Sequence, residues 1–410
     1  MASISRRVVV TKTKDGKRRE SVRYDVNYRE PDSRQRRKAF LKRVDADAFA
    51  RTVEADKLRG TYLDVDAGKE TFGAYADRWI VHTSKDPQTF EIRERMLRLH
   101  IKPQIGKVEL RRINGSTLRA LIASLKVADK YAADIFGLVS SILTAAVDDR
   151  LIASNPAKDA SVRRQKPRPP RRKVIPWPDE WIDKMHTAIQ DRYKITVTLG
   201  AGLGLRQGEI FGLAVEDVDL VNDIVRVRRQ VKLVGKRLTF APPKTRKDDD
   251  APREVPLPKD VREELAAHLR TFPAKAVTLP WRDPENGIPV TVHLIVTNRN
   301  DAAVSRLAFN PRTWSTARRR AGLKIGGEIE TGMHGLRHWY ASTLLAGGAS
   351  PVEVSAYLGH SDVGFTLRTY GHLMSSSAER AREAIAAAMA NVRKATKDVG
   401  NGEAADDRVT

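Results

Sequence analysis

The residues that most clearly suggest chemistry lie in the C-terminal half of the chain. His334 and Arg337 stand three positions apart in the segment MHGLRHWYASTLLAGG. On a helix, side chains at this spacing share one face and lie about 6 Å apart. An imidazole and a guanidinium placed in this way can hold one phosphate group from two directions. The pair therefore predicts a phosphate-binding site.

Two other segments could complete such a site. Arg206 opens a predicted helix in GLGLRQGEIFGL, and Glu209 follows one turn later. The glycines before Arg206 do not predict a nucleotide loop, because the segment lacks both the G-K-[ST] ending and the third glycine of the dinucleotide motif. In LGHSDVGFTLRTYGHL, His360 precedes Tyr370. We expect Glu209 to brace the fold by pairing with a basic neighbour.

Taken in order, these segments resemble the tyrosine recombinase (phage integrase) family. In that family an Arg, an HxxR pair, a late His or Trp and a Tyr follow one another along the C-terminal domain. The matching residues here are Arg206, His334, Arg337, His360 and Tyr370. The ordered set is far more specific than any one of its members. The resemblance implies the DNA breaking-rejoining fold, with Tyr370 as the nucleophile that forms an O-(3′-phospho-DNA)-tyrosine.

The family also uses a lysine from a β-hairpin. We predict three strands in this region, Ile224 to Val231, Arg237 to Ala241 and Glu254 to Leu257. The turn between the last two strands, PPKTRKDDDAPRE, best matches the family's lysine at Lys244. Lys247 and Lys236 remain alternatives.

The chemistry of the two arginines and the tyrosine can be argued from their functional groups. A phosphodiester resists attack because its charge repels nucleophiles. Arg206 and Arg337 would bind its non-bridging oxygens and stabilise the extra charge of the transition state. A phenol has a pKa of roughly 10, so Tyr370 must lose its proton as it attacks.

The remaining groups are expected to move protons or to support the site. We expect His334 to act as the base or to orient the reacting groups, and His360 to donate a hydrogen bond to the phosphate. Lys244 is the candidate acid for the leaving 5′-hydroxyl. We expect His338 and His372 to be packing or supporting groups.

We predict no cofactor and no metal. A 3′-phosphotyrosine conserves the energy of the broken bond, so the reaction requires no ATP. The sequence has no Walker motif and no evident carboxylate cluster. Asp248 to Asp250 are expected to form a solvated turn rather than a metal site.

The composition points to a polyanionic partner. Lys and Arg number 74 against 51 Asp and Glu, a formal net charge of +23. Such an excess favours nucleic acid. The chain has no cysteine, which excludes disulfides, thiol catalysis and cysteine-containing zinc sites. The beginning of the chain lacks the apolar core of a signal peptide, and no apolar run approaches the roughly 18 residues of a membrane span. We expect a protein of the bacterial host cytoplasm that associates with DNA and not with membranes.

The N-terminal region, residues 1–65, predicts a small β-β-β-α domain. Polar residues alternate with apolar ones at Val22, Tyr24, Val26 and Tyr28, as in a half-buried strand, and a helix is predicted from Ala46 to Arg59. The module resembles the arm-type DNA-binding domain of integrases. The outward strand face carries two candidate DNA-binding residues, Arg19 and Arg23.

Three further segments follow. Residues 70–158 show helical periodicity and predict an all-α core-binding domain. Residues 159–176 form a basic, proline-rich stretch that we expect to be an extended linker along the DNA backbone. Its candidate DNA-binding residues are Arg163, Arg164, Lys166, Arg168, Arg171 and Arg172. Residues 177–396 predict a mainly α catalytic domain with a small antiparallel sheet, and residues 397–410 a polar tail.

An alanine-rich helix is predicted from Ser377 to Lys394, with one apolar face. In the resembling family such a helix docks onto a neighbouring protomer, although packing on its own domain is an alternative. The resemblance implies a homotetramer on two double-stranded DNA attachment sites, with an accessory DNA-bending or directionality factor as a further partner.

Three functions fit this set of features. The first is an integrase that exchanges strands between two sites through a Holliday junction, integrating or excising a mobile element. The second is a type IB topoisomerase-like enzyme, which shares the chemistry but acts on one duplex. The third is a DNA-binding regulatory or architectural protein with the same fold and no catalysis. The N-terminal module favours the first over the second, and the complete catalytic set argues against the third.

Overall fold

A computed structural model describes residues 2–12, 18–29, 35–58, 68–83, 86–169, 173–244, 251–324, 329–373, 382 and 385–393. The chain forms two compact units, residues 1–170 and 171–410. The first unit contains a small sheet with one helix and a group of helices. The second contains the mainly helical region with short antiparallel sheets. These elements confirm the predicted fold class.

The N-terminal sheet is antiparallel in the order β1-β2-β3. Its elements are β1 Ser3–Lys12, β2 Arg18–Arg29, β3 Gln35–Phe40 and the helix α1 Arg43–Leu58. The alternation in β2 places Val26 and Tyr28 on the face that α1 covers, where Ala46 and Val53 are also buried. The small core forms because the strand period of two and the helix period of 3.6 each give one apolar face.

The other face of this sheet is polar. Asp25 is buried there between two arginines, with Arg7 Nε at 3.1 Å and Arg37 Nη1 at 3.8 Å from its Oδ2. Arg23 is exposed and lies opposite Arg7 in the register. Arg19 lies in β2 opposite Thr11, and its side chain is outside the described part of the structure.

The helical part of the first unit has a core of its own. Its longer helices are α2 Phe72–Thr83, α3 Pro87–Met96, α5 Gly115–Ser124 and α6 Asp129–Asp148, and a π-helical turn connects α3 to the short helix α4 Lys102–Ile105. Asp86 caps α3 by accepting from the Thr89 amide, and Asn114 caps α5 in the same way through Thr117.

Among the described residues, α6 alone is long and apolar enough to cross a membrane. We had expected no apolar segment of the length of a membrane span, and α6 is an exception to that expectation. Ile135, Val139 and Ile142 have no exposed surface and form the centre of the helical core. Their burial accounts for the apolar composition of α6.

The basic stretch that we assigned to a linker begins with a helix. Residues of α7, Ala160–Gln165, pack onto the helical core through Val162, which has no exposed surface. The helix was not predicted, because a single apolar residue among several basic ones shows no helical periodicity. Arg163 and Arg164 lie exposed in its last turn, and Lys166 and Arg168 are exposed beyond it. The candidates Arg171 and Arg172 lie outside the described residues.

The second unit begins with α8 Asp179–Ala188, α9 Asp191–Leu203 and α10 Gln207–Gly212. Five strands follow: β4 Val218–Asp219, β5 Ile224–Val227, β6 Gln230–Val234, β7 Arg237–Ala241 and β8 Arg253–Pro256. The helix α11 Lys259–Thr271 and the hairpin of β9 Lys275–Pro280 and β10 Pro289–Leu294 come next. The last elements are α12 Arg306–Phe309, α13 Ser315–Arg320, α14 His334–Ala346, α15 Pro351–Leu358 and α16 Val363–Tyr370.

The predicted strand from Ile224 to Val231 is two strands. Between them, Arg229 turns inward and donates to Asp217, with Nη1 at 2.6 Å from Oδ2, and this buried pair interrupts the alternation. As a result β5 pairs with β8, whereas β6 pairs with β7. The strands predicted as one sheet therefore lie in two small sheets, and β9 and β10 form a third. Lys244 follows a completed hairpin rather than lying in a turn between two paired strands.

The helices α9 and α14 form the centre of the second unit. Leu336 of α14 packs against Gly200 of α9, where an added Cβ would lie 2.6 Å from Leu336 Cδ1. Leu199 and Leu336 have no exposed surface. This contact fixes the beginning of α14, which carries the predicted HxxR pair, against the end of α9.

The predicted helix from Ser377 to Lys394 is described in part. Residues 385–393 are helical, and Ile385, Met389 and Val392 are exposed on them. The other predicted residues of that helix, except residue 382, lie outside the described part of the chain, as does the predicted polar tail.

Candidate active site

Arg206 is positioned by the junction between α9 and α10. The helix α9 ends at Gly204, whose φ of 61° is left-handed, and an added Cβ there would lie 2.4 Å from Tyr340 Cδ1. Arg206 then caps α10, and its backbone amide donates to Glu209 Oε2 at 2.9 Å. The close packing at Gly204 and this cap fix the point where the arginine side chain leaves the backbone.

The carboxylate of Glu209 binds two guanidiniums. Arg206 Nη1 lies 3.0 Å from Glu209 Oε1, and Arg253 donates to both carboxylate oxygens at 2.9 and 2.6 Å. Burial alone would raise the pKa of Glu209, but Arg253, Arg206 and Arg337 outweigh it and lower the pKa to about 2. Glu209 therefore remains ionised and holds Arg206 in place, as expected of a bracing residue.

Three arginines bind three consecutive carbonyls at the end of α15. Arg253 Nε donates to Tyr357 O at 2.9 Å, Arg337 Nη2 to Leu358 O at 2.5 Å and Arg206 Nη2 to Gly359 O at 3.4 Å. The chain leaves this turn through Gly359, which has a φ of 62°. This arrangement connects β8, α14 and α10 to the loop that carries His360.

Arg337 is almost completely buried. Its guanidinium donates to two carbonyls, those of Leu358 and of Gly204, the latter at 2.7 Å. Burial and then the charge of Arg206 lower the pKa of Arg337 to about 9. Carbonyl oxygens carry no net charge, so these two hydrogen bonds leave the positive charge of Arg337 uncompensated.

The two predicted histidines are neutral at pH 7 for similar reasons. His334 has an exposed side chain, but desolvation by its surroundings and then His338 lower its pKa to about 4. His360 is half-buried, and its Nδ1 lies 2.7 Å from the Thr366 hydroxyl. Burial, followed by the charges of Arg337 and Arg206, lowers the pKa of His360 to about 3. The positive field of the site thus opposes protonation of both imidazoles.

Tyr370 is the last residue of α16 and is 1% exposed. Burial raises its pKa to about 12, although Arg337 and Arg206 act in the opposite direction. Its hydroxyl lies 2.8 Å from Nδ1 of His338. The phenol is therefore protonated at neutral pH and hydrogen bonded inside the protein.

His338 is a residue of the site that we expected only to support it. Its imidazole contacts the phenol of Tyr370, and its Nε2 lies 3.4 Å from Glu330 Oε2. The contact that we expected of His334 as a base is thus made by the histidine one turn later. The four-residue spacing of the two histidines was visible in the sequence, but the approach of α16 was not. His372, by contrast, bonds Val174 O at 2.9 Å.

Lys244 is exposed and follows β7 by three residues. No hydrogen bond between it and another described residue of the site is present. The alternative Lys236 is exposed in the turn between β6 and β7, while Lys247 and Asp248 to Asp250 lie outside the described residues. The structure thus brings together Arg206, His334, Arg337, His360 and Tyr370, and leaves the lysine a prediction.

Comparison of the sequence with known proteins identifies integrases and tyrosine recombinases as similar proteins. The family model of the phage integrase family matches residues 179–376. A putative prophage phiRv2 integrase of Mycobacterium tuberculosis is 27% identical over 368 residues, covering 86% of this chain and 89% of the relative. A XerC-like tyrosine recombinase of Caldanaerobacter subterraneus is 27% identical over 370 residues, covering 85% and 91%.

Solved structures share the fold. The Tn1549 transposon integrase in complex with transposon right end DNA superposes with a TM-score of 0.63 at 18% identity, covering 77% of this chain and 99% of that one. A lambda integrase tetramer bound to a Holliday junction gives a TM-score of 0.51 at 14% identity, covering 86% and 92%.

The family profile covers the region that contains the whole arginine, histidine and tyrosine set, and the curated relatives match along most of the chain. Residues 179–376 thus match the phage integrase family, and over most of its length the chain is similar to integrases and tyrosine recombinases, which are DNA-cleaving and rejoining enzymes.

Proposed function

We propose that this chain is a site-specific DNA recombinase, an integrase, whose Tyr370 attacks a DNA phosphodiester and becomes linked to the 3′-phosphate. The observation that carries this proposal is an excess of buried positive charge next to the tyrosine. Three guanidiniums, Arg206, Arg253 and Arg337, surround one carboxylate, Glu209. A dianionic transition state at phosphorus would balance this excess.

The two arginines nearest the phenol have distinct tasks in this mechanism. Arg206 is partly exposed and would bind one non-bridging oxygen directly, since its side chain is 20% accessible. Arg337 is buried. Its positive charge would stabilise the phosphate electrostatically, while its hydrogen bond to Leu358 O holds that loop in place. Because both are fixed before DNA binds, little reorganisation is required in the transition state.

The neutral histidines are suited to hydrogen bonding with the phosphate. His334 and His360 each have a free-protein pKa well below 7, at about 4 and about 3. A bound phosphate would add negative charge and reduce the cost of protonating them. We assign to them the tasks of orienting the phosphate, and to Lys244 the protonation of the leaving 5′-oxygen.

Nucleic-acid contacts outside this site are proposed for exposed basic residues. Arg23 and its neighbour Arg19 in β2, together with Arg163, Arg164, Lys166 and Arg168 around the end of α7, would contact phosphates. Arg171 and Arg172 belong to the same proposed set. A protein that acts on genomic DNA in this way would work in the cytoplasm of its bacterial host.

The proposed assembly is a homotetramer on two duplexes, which strand exchange between two sites requires. The lambda integrase neighbour is a tetramer bound to a Holliday junction. In this chain, Ile385 and Met389 are exposed one turn apart in the helix of residues 385–393, which supports docking onto a second copy. The relatives named as prophage integrases support integration or excision of a mobile element, with an accessory DNA-bending or directionality factor as a further proposed partner.

A covalent selection tests the proposed function without knowledge of the target site. The purified full-length chain is incubated in EDTA with random-sequence duplexes that carry a nick, so that a cleaved strand loses a short fragment and cannot be resealed. DNA that remains on the protein after detergent is amplified and sequenced over several rounds. We expect wild type to enrich one sequence family and Tyr370→Phe to retain none. Equal retention by Tyr370→Phe, or no enrichment by wild type, would overturn the proposal.

A further inference from the structure

The hydroxyl of Tyr370 has a single described hydrogen-bond partner, His338. The Oη–Nδ1 distance is 2.8 Å, and the two ring centroids are 5.6 Å apart. The phenol is 1% exposed and the His338 side chain 12% exposed. A hydroxyl enclosed in this way is poorly accessible to hydroxide or to a base from solvent, so its proton needs an acceptor inside the protein.

We propose that His338 accepts the proton of Tyr370 during DNA cleavage and that Glu330 positions the His338 imidazole for this step. The inference rests on the proposed function and names a further residue of the same reaction. The bond between Tyr370 Oη and phosphorus forms as the bond between phosphorus and the 5′-oxygen breaks. The phenolic proton moves to His338 Nδ1, and the 5′-oxygen takes a proton from the acid assigned above to Lys244.

The position of Glu330 selects the tautomer that this step requires. Nδ1 of His338 can accept a proton only if the neutral ring carries its hydrogen on Nε2. Glu330 Oε2 lies 3.4 Å from that Nε2 and would stabilise the imidazolium formed by proton transfer. Trp177 Nε1 donates to Glu330 O at 2.6 Å and packs so tightly that a Cβ on Gly335 would lie 2.2 Å from it. The backbone that carries the carboxylate is thus held against α14.

The surroundings of His338 distinguish it from His334. The titratable groups that face His338 are His334 on its own helix, Tyr370 on α16 and Glu330 on the preceding loop. His334 is exposed, whereas Tyr370 is buried and its hydroxyl is hydrogen bonded to His338. With a pKa of about 4, His334 would also be a weak base for a phenol. Arg337 and Arg206 assist the same transfer because they favour the phenolate.

The test uses the duplex obtained from the covalent selection, nicked in the same way, and full-length protein in single-turnover reactions over a range of pH. In wild type the rate of adduct formation should rise with pH and then reach a plateau, because a base inside the protein takes the proton. His338→Ala should slow the reaction by about 10²- to 10⁴-fold, the usual contribution of a general base. Its rate should keep rising with pH because hydroxide replaces the imidazole, and added imidazole should restore part of it.

A second variant separates proton transfer from simple hydrogen bonding. The side-chain oxygen of His338→Asn can accept a hydrogen bond near the position of Nδ1 but cannot take the proton at neutral pH. We expect His338→Asn to be as slow as His338→Ala. Glu330→Gln should lose about fivefold at most, since its carboxylate is half exposed and the Nε2 contact is long. Thermal unfolding of each variant checks that the chain is folded.

The matched control is the exposed pair of His293 and Glu216, whose Nδ1–Oε1 distance is 2.6 Å. His293→Ala and Glu216→Gln should keep the wild-type rate and pH profile. The inference is overturned if folded His338→Ala cleaves at the wild-type rate or faster, or if His338→Asn restores the rate, because the hydrogen bond would then only hold the tyrosine. Failure of wild type to form an adduct, or formation of one by Tyr370→Phe, would instead overturn the proposed function.

Discussion

The chain places a buried acidic residue between two arginines in two regions, and the arginines differ in their burial. On the N-terminal sheet, Asp25 faces Arg7 and Arg37, whose side chains are 48% and 59% exposed. In the second unit, Glu209 faces Arg206 and Arg253, which are 20% and 12% exposed. The arginines are therefore solvated in one region and form a rigid charged cluster in the other.

This difference in burial suggests different uses of positive charge. Exposed arginines are screened by salt and keep conformational freedom, which suits contacts with a DNA backbone of varied shape. Buried arginines with fixed carbonyl and carboxylate partners cannot adapt, but they are already oriented when charge develops at a reacting phosphate. Substitutions should therefore affect catalysis in the second unit and affinity in the first.

Among the arginine substitutions, the largest effect on cleavage is expected for Arg337→Lys. A lysine keeps the charge but cannot donate to both Gly204 O and Leu358 O from one planar group. Single-turnover adduct formation should fall by about 10²- to 10³-fold. Arg262→Lys, at a surface pair with Asp223, provides the matched control and should react like wild type. A wild-type rate for Arg337→Lys would contradict the view that the buried arginines of the second unit act in catalysis.

The stability of the buried cluster should depend on the ionisation of Glu209. Its pKa of about 2 in the folded protein lies below the ordinary value of 4.5. Its contribution to the free energy of unfolding is therefore complete above pH 4.5 and is lost as the pH falls toward 2. Glu209→Gln should destabilise the second unit by about 3 kcal/mol at pH 7.

Urea unfolding at a series of pH values measures this dependence. The stability difference between wild type and Glu209→Gln should shrink as the pH falls below about 4.5. Asp25→Asn on the N-terminal sheet serves as the comparison, and its effect at pH 7 should be the smaller one, since the two arginines that face Asp25 are largely exposed and screened by water. A constant difference for Glu209→Gln down to the lowest pH would contradict the assigned ionisation.

A smaller effect on cleavage is expected for Arg253→Ala. Arg253 holds Glu209 and the carbonyl of Tyr357, so its loss would allow Arg206 to shift. A displacement of about 1 Å can cost up to about 100-fold in rate. The rate of adduct formation with saturating DNA measures it. Arg226→Ala, which removes contacts with Asp219 and Glu254 in the neighbouring strand, should leave the rate unchanged.

The smallest effect is expected for Arg23→Ala on the N-terminal sheet. If Arg23 contacts a phosphate, the slope of log affinity against log salt concentration should fall by about 1, with little dependence on DNA sequence. The rate of adduct formation at saturating DNA should not change. Arg51→Ala, exposed on α1, is the control for general charge effects. Equal changes in slope for the two variants would contradict a contact specific to the sheet face.

The site residues that could be predicted from the sequence lie near the beginnings of helices and only a few positions apart from one another. Arg206 caps α10, and His334 and Arg337 lie three residues apart at the beginning of α14. The contribution of Arg253 could not be predicted, because it binds Glu209 across 44 residues of sequence. The contact of His338 with Tyr370 spans 32 residues and depends on how α16 packs.

Long-range contacts also account for the differences between the predicted and the observed fold. A single buried valine, Val162, turns part of the basic stretch into the helix α7. The inward pair of Arg229 with Asp217 divides one predicted strand into two. In both cases one long-range contact outweighs the local pattern, and periodicity alone carries no information about such contacts.

Tyr370 is the central residue of the proposed reaction, because it becomes linked to DNA. The direct measurement is mass spectrometry of the covalent adduct after nuclease and protease digestion. We predict that the peptide ending α16 carries a 3′-linked nucleotide on Tyr370, and that Tyr370→Phe yields no modified peptide. A nucleotide on another residue, such as Tyr357, or an adduct that persists in Tyr370→Phe would contradict the account.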